Sequence, residues 1–148
     1  MKSKLAALLF LTLAMNAPAF ADDWIVKDSI SSVAETADKL AAAAEGAGAT
    51  VFARIDHAAG ADAIGEEMAP MVMVMFGNPR IGTPILKAAP QSGLDLPLRV
   101  LIWDDGGITK IGYLSPADLK ARYSVEGADA AFETMAGALD KLTNAATQ

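Results

Sequence analysis

The chain has 148 residues, with 12 Lys and Arg against 18 Asp and Glu, one His and no Cys. Without cysteine it has no thiol nucleophile, thiolate metal site or disulfide, so its core alone must hold it. The acidic balance repels phosphate backbones and anionic lipid headgroups, which excludes nucleic acid as a natural partner.

The first residues form a secretory pattern. Lys2 and Lys4 precede the apolar run Leu5 to Met15, and Ala19-Phe20-Ala21 is a small-x-small cleavage site. The run is too short to span a bilayer, so residues 1–21 are expected to be a cleaved signal peptide and the protein to be periplasmic or secreted. Cleavage after Ala21 leaves residues 22–148 as one domain with no membrane span and a net charge of −8.

Trp24 to Ile30 mixes β-formers with polar residues and predicts a first strand. Ser32 and Glu35 make a capping box. Val33, Ala37, Leu40, Ala41 and Ala44 follow at helical spacing, and Gly46 and Gly48 end that helix. Thr50 to His57 predicts a second strand, with Val51, Ala53, Ile55 and His57 on one face. Ala58 to Ala61 is expected to be a loop, and Asp62 to Met68 a short helix weakened by Gly65.

Met71 to Phe76 alternates as a third strand, with Met71, Met73 and Met75 on one face. Gly77-Asn78-Pro79 breaks it. Thr83 then offers an N-cap with Pro84 at the first helical position, for a helix that stops near Pro90. Ser92-Gly93 predicts a loop. Leu94 to Asp104 leads into a fourth strand, with Pro97 at its start or edge. Asp105-Gly106-Gly107 is a hairpin turn into a fifth strand, Ile108 to Leu114. Trp103 and Tyr113 are expected to stack across that hairpin. Ser115 caps a helix from Pro116 to Tyr123. A last helix, about Ala128 to Asn144, carries the stripe Phe132, Met135, Ala136, Leu139 and Leu142. This order predicts an α+β two-layer sandwich: a mostly antiparallel, curved sheet of about five strands with helices packed on one face.

Four segments resemble the domain of unknown function 302 family. They are Ile55-Asp56-His57-Ala58, Phe76-Gly77-Asn78-Pro79, Gly82-Thr83-Pro84, and Leu94-Asp95-Leu96-Pro97-Leu98 followed by Val100. The motif-bearing part runs from about 51 to 123. The resemblance implies a curved antiparallel sheet gripped by helices, of the kind grouped with TATA-binding-protein-like folds. It implies no activity, and the fold grouping is no argument for DNA binding. The Met-rich third strand departs from the family pattern.

The candidate chemistry gathers around few residues. His57 is the only histidine and can be a titratable donor, a metal ligand or a base. Asn78 can donate and accept, Arg80 adds charge, and Thr83 brings a hydroxyl to a helix start, where amides favour anions. His57, Asn78, Arg80 and Thr83 are therefore the expected ligand-binding residues, for a small and anionic ligand. The alternative is Cu(I), held by the thioethers of Met71, Met73 and Met75 with the His57 imidazole. A third reading is an uncharacterised enzyme using His57. No G-x-S-x-G occurs, and Ser32 and Ser115 are occupied as caps. The adjacent carboxylates Glu66-Glu67 and Asp104-Asp105 diverge, unlike a glycosidase pair. The expected role is thus a small binding or accessory domain whose partner is a small molecule or protein. An exposed sheet edge would also allow a homodimer.

Overall fold

Five antiparallel strands form one open sheet in the computed structural model, which describes residues 24–148. The expected signal segment, residues 1–21, lies outside the described residues. The strands are β1 (Trp24–Ser29), β2 (Thr50–Asp56), β3 (Met71–Gly77), β4 (Leu98–Asp105) and β5 (Ile108–Leu114), in the spatial order β1-β5-β4-β3-β2. Between and after them run α1 (Val33–Gly46), α2 (His57–Asp62), α3 (Pro79–Ala88), a 3-10 turn (Pro90–Leu94), α4 (Pro116–Arg122) and α5 (Asp129–Ala146). This is the α+β class that the element order implies.

Alternation on the strands decides which face carries helices. Val72, Val74 and Phe76 on β3, Val100 and Ile102 on β4, and Ile111 and Tyr113 on β5 are buried under α1, α3 and α5. The Ala-rich α1 works because Ala37 and Ala44 are fully buried, so small side chains let the helix lie close to the sheet. Its capping box forms as expected: the Ser32 hydroxyl accepts from the Glu35 amide, and the Glu35 carboxylate accepts from the Ser32 amide at 3.0 Å. Lys27 reaches from β1 to the last turns of α5, donating to Asp140 Oδ1 at 2.7 Å, Thr143 Oγ1 at 2.9 Å and Asn144 Oδ1 at 2.6 Å. A cation there also meets the negative end of the helix.

Several expected details differ. Phe52 is an extra residue on β2, because Val51 pairs with Phe76 while Ala53 pairs with Met75. This bulge puts Val51 on the helix side and Ala53 and Ile55 on the other, so they do not share a face. β2 ends at Asp56, whose carboxylate accepts from the Ala59 amide at 2.9 Å and starts α2 at His57. The expected Ala58–Ala61 loop is thus helix, and the expected Asp62–Met68 helix is not formed, with Gly65 turning at φ 80°. The hairpin turn forms on Gly106 and Gly107, both at positive φ. Its register sets Trp103 opposite Lys110 and Tyr113 opposite Val100. The two aromatic rings therefore lie on opposite faces and do not stack.

Candidate functional site

The helix start after β3 has two candidate caps, Asn78 before Pro79 and Thr83 before Pro84. The first takes the role. Asn78 Oδ1 accepts from the Arg80 amide at 2.9 Å, and Pro79 occupies the first helical position, where a missing N–H costs nothing. Asn78 Nδ2 also donates to the Gly48 carbonyl at 3.2 Å, tying α3 to the turn after α1. Thr83 and Pro84 consequently fall inside α3. Pro84 withholds a donor from the Arg80 carbonyl, which is tolerable because both residues are on the exposed side.

This arrangement closes the expected anion cradle. Pro79 has no amide hydrogen, the Arg80 amide goes to Asn78 Oδ1, and the Ile81 and Gly82 amides donate to the Asn78 carbonyl at 2.9 and 3.0 Å. The first amides of the helix thus have partners already. His57 is also remote. Thr50 pairs with Gly77 and Asp56 with Val72, so His57 and Asn78 sit at opposite ends of the same strand pair, about 20 Å apart at strand rise. His57 is exposed, and its side chain makes no hydrogen bond among the described residues.

What the fold does form is an apolar cavity of about 250 Å³ beside α3, open at its mouth. Pro79, Gly82, Thr83 and Leu86 follow helical spacing and present one face of α3 to it. Phe76 and the α5 residues Met135 and Leu142, all buried, contribute from the core. Leu96, Pro97 and Leu98, which lead into β4, form another wall. The bulge carries Phe52 to the rim, where it is 56 % exposed. Asn78 and Thr83 belong to this lining; Arg80 and His57 do not. Three of the four segments that carry the family resemblance therefore meet at the cavity, while Ile55 to Ala58 lies at the far end of the sheet.

A buried carboxylate supports the Leu96-Pro97 wall. Asp95 accepts from Tyr123 Oη at 2.8 Å and Arg122 Nη1 at 3.0 Å, and pairs with Arg99. Burial alone would raise the Asp95 carboxyl. The Tyr123 and Arg122 hydrogen bonds and the Arg99 charge outweigh it and leave the group below the usual carboxylate range. The same bond holds the Tyr123 phenol above its ordinary value. The 3-10 turn and the cis Leu96–Pro97 bond connect this latch to the cavity wall.

Met71, Met73 and Met75 do share a face, the one without helices, and all are half-buried. Met71 faces Trp103, Met73 lies between Ile55 and Leu101, and Met75 between Ala53 and Arg99. A guanidinium beside Met75 opposes a cation there. Among the described residues, no group of three or more His, Cys, Asp or Glu gathers as a metal site.

A family model described as "Domain of unknown function DUF302" matches residues 25–142. The chain belongs to the DUF302 family. The crystal structure of the uncharacterized conserved protein DUF302 from Bacillus stearothermophilus superposes with a TM-score of 0.75 at 19% identity, covering 84% of this chain and 98% of that one. At that identity the likeness speaks for the DUF302 fold. Two curated relatives are the fluoride-specific ion channel FluC 1 of Brucella suis biovar 1 and FluC 2 of Brucella melitensis biotype 1. Each is 41% identical over 102 residues, which is 68% of this chain and 40% or 38% of the relative. The chain thus spans about two fifths of the length of these relatives.

The sequence pointed to Asn78 and Thr83 but missed Phe52, Leu86, Leu96 and Met135. Met135 stands out in sequence as one of the helical stripe, which marks a core position without saying that the core is hollow beside it.

Proposed function

We propose that this DUF302 domain is a periplasmic or secreted binding protein for a small, mainly apolar molecule. The observation that carries the reading is the cavity beside α3, with its aliphatic and aromatic walls and no charged side chain in its lining. An engineered cavity of about 150 Å³ takes up benzene, so about 250 Å³ suits an apolar group of roughly ten heavy atoms. A hydroxyl, carbonyl or amide at one end of such a ligand would meet Asn78 and Thr83. A bare inorganic anion is a poor fit, because the α3 amides are used and Arg80 stands outside.

The test is the thermal midpoint in the presence of straight-chain alcohols of six to twelve carbons (roughly spanning the cavity), inorganic phosphate, and Cu(I). A ligand that prefers the native state raises the midpoint. A rise with the alcohols alone, peaking at one chain length, is the expected result. A rise with phosphate or Cu(I) and none with any alcohol would refute it.

A second reading is favoured by the 41% identity to segments of proteins named as fluoride-specific ion channels. No helix among the described residues is long and apolar enough to cross a membrane. On this reading the domain serves beside a membrane channel, and ion conduction belongs to the part of those relatives that the chain does not match. Deleting the gene would then sensitise its host to fluoride; unchanged growth across a fluoride series would remove this reading.

A further inference from the structure

Among the described residues, the sheet has one face covered by helices and one uncovered. On the uncovered face lie Trp24 and Val26 of β1, Leu114 of β5, Leu101 and Trp103 of β4, and the three methionines of β3. Trp24 is 54 % exposed and Val26 44 %. The surface is flattened at its middle by Gly112. A Cβ there would stand 3.0 Å from the Trp103 ring and 3.4 Å from Val26, so the missing side chain lets the indole lie down across β5. A contiguous apolar patch of this kind on a monomer marks an interaction surface.

Charge on this face is ordered along the strands. At one end Asp28 pairs with Lys110 at 2.8 Å, and Asp105 stands 3.9 Å from the same amine, so two carboxylates outnumber one cation. At the other end is Arg99, opposite Met75; its partner Asp95 is buried while the Arg99 side chain stays 45 % exposed, so the cation of this pair is the member that faces outward. Arg99 and Asp105 are six residues apart on β4, or about 20 Å. The face thus has a negative and a positive end with an apolar middle. Rotating a copy by half a turn about an axis lying in the face and crossing the strands sets each negative end on a positive one. It also sets β4 over β4, and Leu101 near the axis. The rest of this acidic chain would repel its copy; this face would not.

We propose that two copies of this chain meet here, sheet against sheet, with the strands of one running opposite to those of the other. The size is adequate. Five strands about 4.8 Å apart and six residues long give roughly 24 by 20 Å, and side-chain relief brings the buried surface toward the ~800 Å² per partner of a standard interface. Covering Trp24, Val26 and the methionines answers their exposure. The dimer leaves the cavity free, because α3 and α5 lie on the opposite side of the sheet. This arrangement is distinct from strand addition at the β1 or β2 edge, which would leave the face bare.

Sedimentation equilibrium of the chain as purified from its expressing cells tests the proposal. At about 50 µM, well above the dissociation constants usual for interfaces of this size, the mass is expected to be twice that of one chain. Met73→Glu and Leu101→Glu put like charges at the centre of both copies and should halve the mass with the far-UV circular dichroism unchanged. The chain has no cysteine, so Leu101→Cys is a clean reporter. Packed sheets stand about 10 Å apart, so a short bis-maleimide should join two Leu101→Cys chains, while Thr134→Cys on α5 should stay unjoined. A monomeric wild-type chain, a dimer that survives both glutamate variants with native dichroism, or a dimer whose Leu101→Cys form is not joined would each overturn it.

Discussion

Filling the cavity from α3 separates the apolar-ligand reading from a merely structural void. Gly82 lies in the middle of the cavity-facing stripe, and a Cβ built on it meets no atom within 4 Å. Gly82→Leu adds four carbons to that space. Replacing a helical glycine by leucine gains about 0.8 kcal/mol in propensity. Burying the side chain against Phe76 and Met135 gains about 1 kcal/mol, taking roughly half of the 1.5–3 kcal/mol for full burial because the mouth is open. The variant should therefore be about 2 kcal/mol more stable, raising the midpoint by about 6–10 °C for a domain of this size. Binding should move the other way. At about 25 Å³ per heavy atom, scaled from benzene in its engineered cavity, four carbons take roughly 100 Å³ of the space. A straight-chain alcohol then loses room for about four methylenes, near 3 kcal/mol, or about a hundredfold in affinity. Urea denaturation and titration calorimetry read the two effects. A destabilised Gly82→Leu chain would mean that position 82 does not face open space, and a stabilised chain with undiminished alcohol affinity would mean that the ligand binds elsewhere.

The remaining predictions concern the framework around the site. Asp95→Asn removes a carboxylate bonded by Tyr123, Arg122 and Arg99 and should cost about 2 kcal/mol at neutral pH, discounted for the half-exposed arginines. Because the folded Asp95 carboxyl is depressed, its contribution is present above the unfolded value near pH 4 and is lost as pH falls through the folded one. The wild-type chain should therefore lose stability below about pH 4 more steeply than Asp95→Asn, and equal slopes in acid melts would contradict the latch. Lys27→Met should return the Asp140 carboxyl toward its ordinary range, since the Lys27 hydrogen bond and then its charge hold it low; an unmoved carboxyl in an NMR titration would refute that cause. Asn78→Ala removes both the α3 cap and the bond to Gly48 and should cost about 1–2 kcal/mol, read by chemical denaturation, whereas Thr83→Ala should cost less than half as much.

Features fixed by neighbouring residues were legible in the sequence. The Ser32–Glu35 box, the Ser115 cap and the Gly106–Gly107 turn each follow from chemistry within four residues. The choice between Asn78-Pro79 and Thr83-Pro84 was not, because both satisfy the same local rule. What decides it is Asn78 Nδ2 reaching Gly48, 30 residues earlier in the chain. His57 was misplaced for a related reason: only the long-range register, with Thr50 opposite Gly77 and Asp56 opposite Val72, puts it at the far end of the strand pair from Asn78. The bulge at Phe52 shifts the face of everything after it on β2, and Asp56 then turns from strand residue to helix cap. The separation of Trp103 and Tyr113 could have been read, since a two-residue turn at Gly106–Gly107 places Tyr113 opposite Val100. The cavity could not, because its walls come from positions as far apart as Phe52, Leu86, Leu96 and Met135.

The helix that walls the cavity has little to hold it. α3 has Ile85 as its single buried residue, a proline inside it and a glycine at its centre, whereas α5 buries Phe132, Met135, Leu139, Leu142, Thr143 and Ala146. Propensity runs against α3 as well, since Gly82 alone disfavours helix by about 1 kcal/mol relative to alanine. Its order depends on the Asn78 cap at one end and on Ile85 in the core. Segments with few buried contacts open at a fraction of the global unfolding free energy. The amides of Ile85 to Ala88 should therefore exchange with solvent through a local opening whose free energy is several kcal/mol below that of Leu139 and Leu142, and with little dependence on denaturant. A straight-chain alcohol bound in the cavity should slow them selectively, because it lies against Leu86. Native-state hydrogen exchange distinguishes the cases. Protection in α3 equal to that in α5 would show that the cavity wall opens only when the whole domain unfolds, and a ligand would then have to enter past Phe52 without help from the helix.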